Sequence, residues 1–119
     1  MSKPTGTAAL ESHFNGKDPV VRKVYSRLIE VLRQFGPIIE EPKKTSIHIV
    51  NQTALAGVAT RKEFLVLTVK SDHKLISPRI HKTEQASANR FHQEIRLRFP
   101  EDVDAELIGW LKEAYALSA

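Results

Sequence analysis

Thirteen residues between Lys43 and Arg98 carry the chemistry that this chain offers. They are Lys43, Lys44, Ser46, His48, Arg61, Lys62, Arg79, His81, Lys82, Arg90, His92, Arg96 and Arg98. Guanidinium groups present fixed forks that match carboxylate or phosphate, and serine or histidine adds neutral donors beside them. From this set we take Lys44, Ser46, His48, Arg61, Arg79, His81, Arg90, His92 and Arg96 as candidate ligand-binding residues. The charge is unevenly spread. Residues 1–60 carry a net +3, residues 61–98 a net +5 and residues 99–119 a net −4, for a total of +4. A basic middle of this kind attracts an anionic small molecule or an acidic protein surface. Nucleic acid is a weaker fit, because Phe64 is the one aromatic placed to stack a base and no glycine-rich phosphate cradle precedes a helix.

Sharper chemistry finds less support. The five histidines form no i, i+4 pair and no His-Glu-x-x-His box. His48 and His92 would approach each other, with Glu94, only if their strands were neighbours. Ser46 and His48 lie two apart, on one face of a strand, but no orienting acid accompanies them. Glu41-Pro42-Lys43 has the acid-x-lysine spacing of a nuclease, with Asp18 or Glu40 to complete a metal site, yet Pro42 interrupts the strand that would project the pair. We therefore assign no catalytic residue, no metal ligand and no cofactor. The absence of cysteine removes disulfides, thiolate zinc sites, iron–sulfur clusters and a cysteine nucleophile together.

The elements that must position these side chains follow from periodicity. Asp18-Pro19 reads as an N-cap and first helical residue. Val21, Val24, Tyr25, Leu28, Leu32 and Phe35 then recur at helical spacing until Gly36-Pro37 stops them. Residues 46–50, 55–60, 63–70 and 91–99 alternate as strands, with turns at Asn51-Gln52-Thr53 and Arg61-Lys62, and 38–41 is a further candidate. Residues 75–89 contain Ser77-Pro78-Arg79 and a polar run, and are expected to be largely loop. A closing helix opens at Glu101-Asp102 and buries Val103, Leu107, Trp110, Leu111, Ala114 and Tyr115.

The expectation is one α+β domain spanning residues 1–119, with 1–17 a partly ordered arm. An antiparallel sheet of about five strands carries the N- and C-terminal helices on one face. Its core would be Leu28, Leu32, Leu65, Leu67, Val69, Ile95, Leu97, Leu107 and Leu111. Strand parity then sends Lys44, Ser46, His48, Val50, Phe64, Val66, Thr68, Lys70, His92, Glu94, Arg96 and Arg98 to the far face. That face is mixed in polarity, which suits a ligand, a partner or a covering loop. No secretory signal is evident, and the longest apolar run, 64–69, is too short to cross a bilayer, so a cytoplasmic location with no membrane contact is expected.

Two stretches carry a family resemblance. His13-Phe14-Asn15-Gly16-Lys17-Asp18-Pro19 leads into the helix that ends Phe35-Gly36-Pro37. Phe91 to Leu97 leads into Pro100 to Leu107 and closes with Trp110 to Tyr115. With Pro42 to His48 and Ala56 to Lys62, they resemble an uncharacterised bacterial family catalogued as a domain of unknown function, which also closes longer chains labelled predicted transport protein. The resemblance implies terminal helices packed on one sheet, and it implies no activity. The functional expectation is a non-enzymatic module for an anionic ligand or acidic surface. The alternatives are a small enzyme using His48, His92 and Glu94 under the 75–90 loop, or a homodimer that buries Val50, Phe64 and Val66.

Overall fold

The computed structural model describes residues 5–119, so the first four residues of the expected N-terminal arm lie outside the described residues. Three helices, α1 (Thr5–Ser12), α2 (Pro19–Arg33) and α3 (Ala105–Leu117), accompany six strands. The strands are β1 (Ile39–Pro42), β2 (Ile47–Val50), β3 (Ala54–Thr60), β4 (Leu65–Ser71), β5 (Ile80–Ser87) and β6 (Arg90–Leu97). They form one antiparallel sheet in the order β1-β2-β3-β4-β6-β5. No helix of the described residues is long and apolar enough to cross a membrane.

The α2 helix forms where its apolar period predicts. The Asp18 side chain accepts a hydrogen bond from the Val20 N–H at 2.9 Å, with Pro19 in the first turn. Its inward stripe, Val21, Val24, Tyr25, Leu28 and Leu32, is fully buried. Gly36 then turns the chain at φ +153°, a conformation that favours glycine. A side chain there would collide with the Tyr115 hydroxyl, which donates to the Pro37 carbonyl at 3.0 Å. Asp104 caps α3 by accepting from the Leu107 N–H at 3.1 Å. At the far end of α3 the Ser118 carbonyl takes the Gln52 and Thr53 N–H groups, which anchors the helix to the β2–β3 turn.

Every residue expected in the core is buried, and both long helices pack on the face that presents Ile47, Ile49, Val58, Leu65, Leu67, Val69, Ile95 and Leu97. The Tyr25 hydroxyl reaches Glu40 at 2.6 Å, and Arg33 holds the other Glu40 oxygen at 2.8 Å. Burial, reinforced by that carboxylate, pushes the Tyr25 hydroxyl well above its ordinary pKa. Residues 5–12 of the expected arm are helix, and Arg22 ties α1 to α2 through Glu11 at 2.8 Å.

Three expectations need correction. The closing helix does not open at Glu101-Asp102, which lie in a 3₁₀ turn; it starts at Ala105 after the Asp104 cap, and Trp110 and Tyr115 of its expected buried stripe are half-buried. The sheet has six strands rather than about five, because residues 80–87 are strand and not loop. Ile80 apart, β5 is exposed throughout, so it carries no apolar alternation that could have marked it. Phe99 does not continue the buried face of β6. The strand ends at Leu97, and Phe99 precedes a 3₁₀ turn (Pro100–Asp102) with its side chain 57% exposed.

The segment 72–79, which joins β4 to β5, must pass β6, since β6 lies between those two strands. Gln93 decides the side. Its buried side chain shares the helix face of β6 with Phe91 and Ile95. Its Oε1 accepts from the Leu75 N–H at 2.9 Å, and its Nε2 donates to Ser71 Oγ at 2.5 Å and to the His73 carbonyl at 3.2 Å. The crossover is thereby held on the helix side. Replacing Gln93 by Leu strips the buried Leu75 N–H of its acceptor, a cost of about 1–3 kcal/mol. Urea unfolding should register that loss, and hydrogen exchange at Leu75 should accelerate while exchange in α2 at a given stability is unchanged.

Candidate functional site

With helices and crossover on one side, the other face of the sheet is left open. His48, Val50, Gly57, Ala59, Val66, Thr68, Lys70, His92 and Glu94 lie on it, all half-buried, as strand parity requires. A concave cavity of about 290 Å³ occupies its middle. The floor is β3, where Ala54, Gly57 and Ala59 offer almost no side chain. A Cβ on Gly57 would meet nothing within 4 Å, so the space above it is open. Between Ile49 and Val50 the β2–β3 register shifts, leaving Leu55 as an extra residue. Such a bulge bends and twists the strand locally, here at the rim of the cavity.

One wall is Ser46 and His48 from β2 and its lead-in. The other is Thr68 and Lys70 from β4 with His92 from β6. Across the sheet His48 faces Gly57, Gly57 faces Thr68, and Thr68 faces Glu94, while Lys70 faces His92 in the next row. Lys70 joins no ion pair among the described residues. Burial, with the nearby positive charge of Arg90, lowers its ammonium pKa below the ordinary lysine value. The nearest carboxylate by register, Glu94, sits opposite Lys82 of β5.

The candidate residues separate into three groups. Ser46, His48 and His92 line the cavity. His81, Arg96 and Arg79 border a second, more polar hollow of about 400 Å³ near the other end of the face. Lys44, Arg61 and Arg90 lie in or beside turns, where Arg61 and Arg90 donate to the neighbouring carbonyls of Thr60 and Asn89. Arg79 is held internally. Its guanidinium meets Asp104 at 2.8 Å, Glu106 at 3.2 Å and the Asp102 carbonyl at 2.6 Å, fastening the start of β5 to the entry of α3. Burial works against the Asp104 charge, but the Leu107 N–H and Arg79 outweigh it and hold its carboxyl below the usual aspartate range.

The sharper constellations do not assemble. The β2 and β6 strands are separated by β3 and β4, so His48 stands about 14 Å at the backbone from Glu94 in its own row, at roughly 4.8 Å per strand, and farther still from His92 in the next row. No group of three histidine or acidic side chains that could hold a metal occurs among the described residues. Ser46 makes no hydrogen bond to His48. The acid-x-lysine pair is a surface ion pair, Glu41 to Lys43 at 3.5 Å, while Asp18 caps α2 and Glu40 serves Tyr25 and Arg33. No residue of 75–90 lies over the cavity, because 80–87 is an edge strand beyond β6.

Thr68, Lys70 and the six β3 residues from Ala54 to Ala59 are the cavity residues absent from the candidate set. Thr68 and Lys70 had a readable signal, since strand parity alone places them beside His48 on the far face. The run Ala54-Leu55-Ala56-Gly57-Val58-Ala59 reads as an ordinary small-residue strand until its neighbours on either side are known.

Fold and face together define a two-layer α+β domain whose sheet is covered on one side only. The chain belongs to the family described as "Domain of unknown function (DUF5655)", whose model matches residues 10–118. No curated protein and no solved structure matches it.

The sign of the Lys70 shift gives a stability test. Its pKa is lower in the folded state than the ordinary 10.5, so the folded protein binds that proton less tightly than the unfolded chain does. The charge therefore costs stability below the folded pKa, and the cost disappears as pH rises past 10.5. Lys70→Met should melt at the same or a higher temperature than the parent at neutral pH. In thermal melts that advantage should shrink toward the alkaline end.

Proposed function

We propose that this domain is a non-enzymatic binding module that holds a small carboxylate, with an apolar body, on the open face of its sheet. The observation that carries the reading is the pairing of an apolar floor with an unneutralised cation. A hydrocarbon or ring lies on Ala54, Gly57 and Ala59, and its carboxylate turns toward Lys70. His48, His92, Ser46 and Thr68 supply hydrogen-bonding groups around it. At about 290 Å³ the cavity stands at the small end of ligand pockets, which run from roughly 300 to 1,000 Å³. A small molecule suits a concave site better than the broad acidic surface of a protein partner does.

An enzymatic reading draws less support. His48, His92 and Glu94 make no hydrogen bond with one another, and general acid–base work needs a group within reach of the proton it moves. Nucleic acid is also disfavoured. The Phe64 ring, which would stack a base, already carries the guanidinium groups of Arg96 at 5.5 Å and Arg98 at 4.8 Å.

Gly57→Leu tests the site without attacking the fold. The position is open above the floor, and interior strand glycines cost about 0.5–1 kcal/mol relative to alanine, so the variant should be as stable as the parent or more so. In amide-resolved NMR titrations with butyrate and benzoate at about 150 mM salt, the parent should shift around His48, Gly57, Thr68, Lys70 and His92. Gly57→Leu should show none of these shifts. Identical responses in the two proteins, or shifts that disappear as salt is raised, would contradict the proposal.

A further inference from the structure

The arginines divide by what they touch. Arg22, Arg27, Arg33 and Arg79 are each ion-paired to a carboxylate, at 2.7–2.8 Å for the shortest contact. Arg96 and Arg98 meet no carboxylate among the described residues. Instead both guanidinium groups lie against the one ring of Phe64, at 5.5 and 4.8 Å from its centroid. Arg96 lies in β6 and Arg98 just beyond its end, and Phe64 immediately precedes β4, the neighbouring strand, so the ring stands beside both. Stacking restrains both side chains without neutralising either charge.

Beside them is the polar hollow of about 400 Å³, bordered by Arg79, His81, Arg96, Arg98 and Asp102. Its one carboxylate, Asp102, accepts at Oδ2 from the Arg98 and Phe99 main-chain N–H groups at 2.8 and 3.0 Å and forms no ion pair among the described residues, so it keeps its charge. Arg79 is neutralised by Asp104 and Glu106. Arg96 and Arg98 together outweigh the single charge of Asp102 and leave the hollow positive. His81 reaches Arg96 through Nε2 at 3.0 Å. A guanidinium can only donate, so Nε2 is the acceptor and the ring hydrogen sits on Nδ1, available to a ligand.

We infer that Arg96, Arg98 and His81 form a second site on the open face, and that it takes the phosphate group of a small phosphate monoester. A carboxylate fills one guanidinium fork. A phosphate has three free oxygens and two negative charges to share between two forks and the imidazole N–H. The site is separate from the carboxylate cavity and shares no lining residue with it.

The test is a titration of the intact protein with O-phosphoserine, inorganic phosphate and acetate at about 150 mM sodium chloride, read at the arginine Nε–Hε signals. Both phosphates should move the Arg96 and Arg98 signals at concentrations where acetate does not. Tighter binding of phosphoserine identifies the monoester as the ligand class, whereas equal or tighter binding of inorganic phosphate overturns that part of the inference. Arg96→Gln and Arg98→Gln should each weaken phosphoserine by about tenfold or more, the worth of one charge-assisted hydrogen bond. Phe64→Leu keeps every charge and should also weaken it, because the forks lose their support. Absent shifts, equal shifts with acetate, or an unchanged affinity in the two arginine variants would overturn the site. All of these side chains are exposed or half-buried, and thermal melts show directly whether each variant is folded.

Discussion

A buried amide that must find partners governs how this sheet is covered. Gln93 lies fully inside the helix-side layer, where an unsatisfied side-chain amide is expensive. It satisfies itself with Ser71, His73 and Leu75, the residues that leave β4 on the way to β5, and with the Thr83 hydroxyl of β5. Because β6 stands between β4 and β5, this connection has to cross one face of β6. Bonding to Gln93 commits it to the face already occupied by α2 and α3. Everything that packs is then on one side, and the opposite side of a six-stranded sheet is left without cover.

That open face is shaped by what its residues lack. Gly57 and the alanines beside it give the middle strand no side chains to fill the space, and the bulge at Leu55 bends its end. Charge is sorted in the same sense. Arginines on α2 and at the β5 entry meet carboxylates, linking α2 to α1 and β1 and the β5 entry to the start of α3. The cations of the open face, Lys70, Arg96 and Arg98, have no such partners among the described residues. Lys70 pays a desolvation cost for its position, and the two arginines rest on Phe64 instead of on an acid. Cations without a carboxylate partner are the common physical theme of both proposed sites.

Much of this is legible in the sequence. The 3.6-residue stripe of Val21, Val24, Tyr25, Leu28 and Leu32 marks α2 because one face of that helix is buried throughout. Strict alternation in β4 and β6 assigned Val66, Thr68, Lys70, His92, Glu94 and Arg96 to the far face correctly, since that period is a property of the strand itself. The β5 strand escaped because Thr83, Glu84, Gln85 and Ser87 are polar on both faces and it forms only by pairing with β6. The separation of His48 from His92 escaped for a related reason. Strand order depends on contacts distant in sequence, and the excursion of β5 beyond β6 leaves no local mark. Gly57 as a cavity floor needed that same strand order.

The most direct measurement is a crystal structure of the protein soaked with 4-bromobenzoate, with data collected at the bromine edge. An anomalous peak is expected above Gly57, with the carboxylate turned toward Lys70 and α2 and α3 on the opposite face of the sheet. A face filled by another part of the chain, or bromine bound elsewhere with the cavity empty, would contradict it.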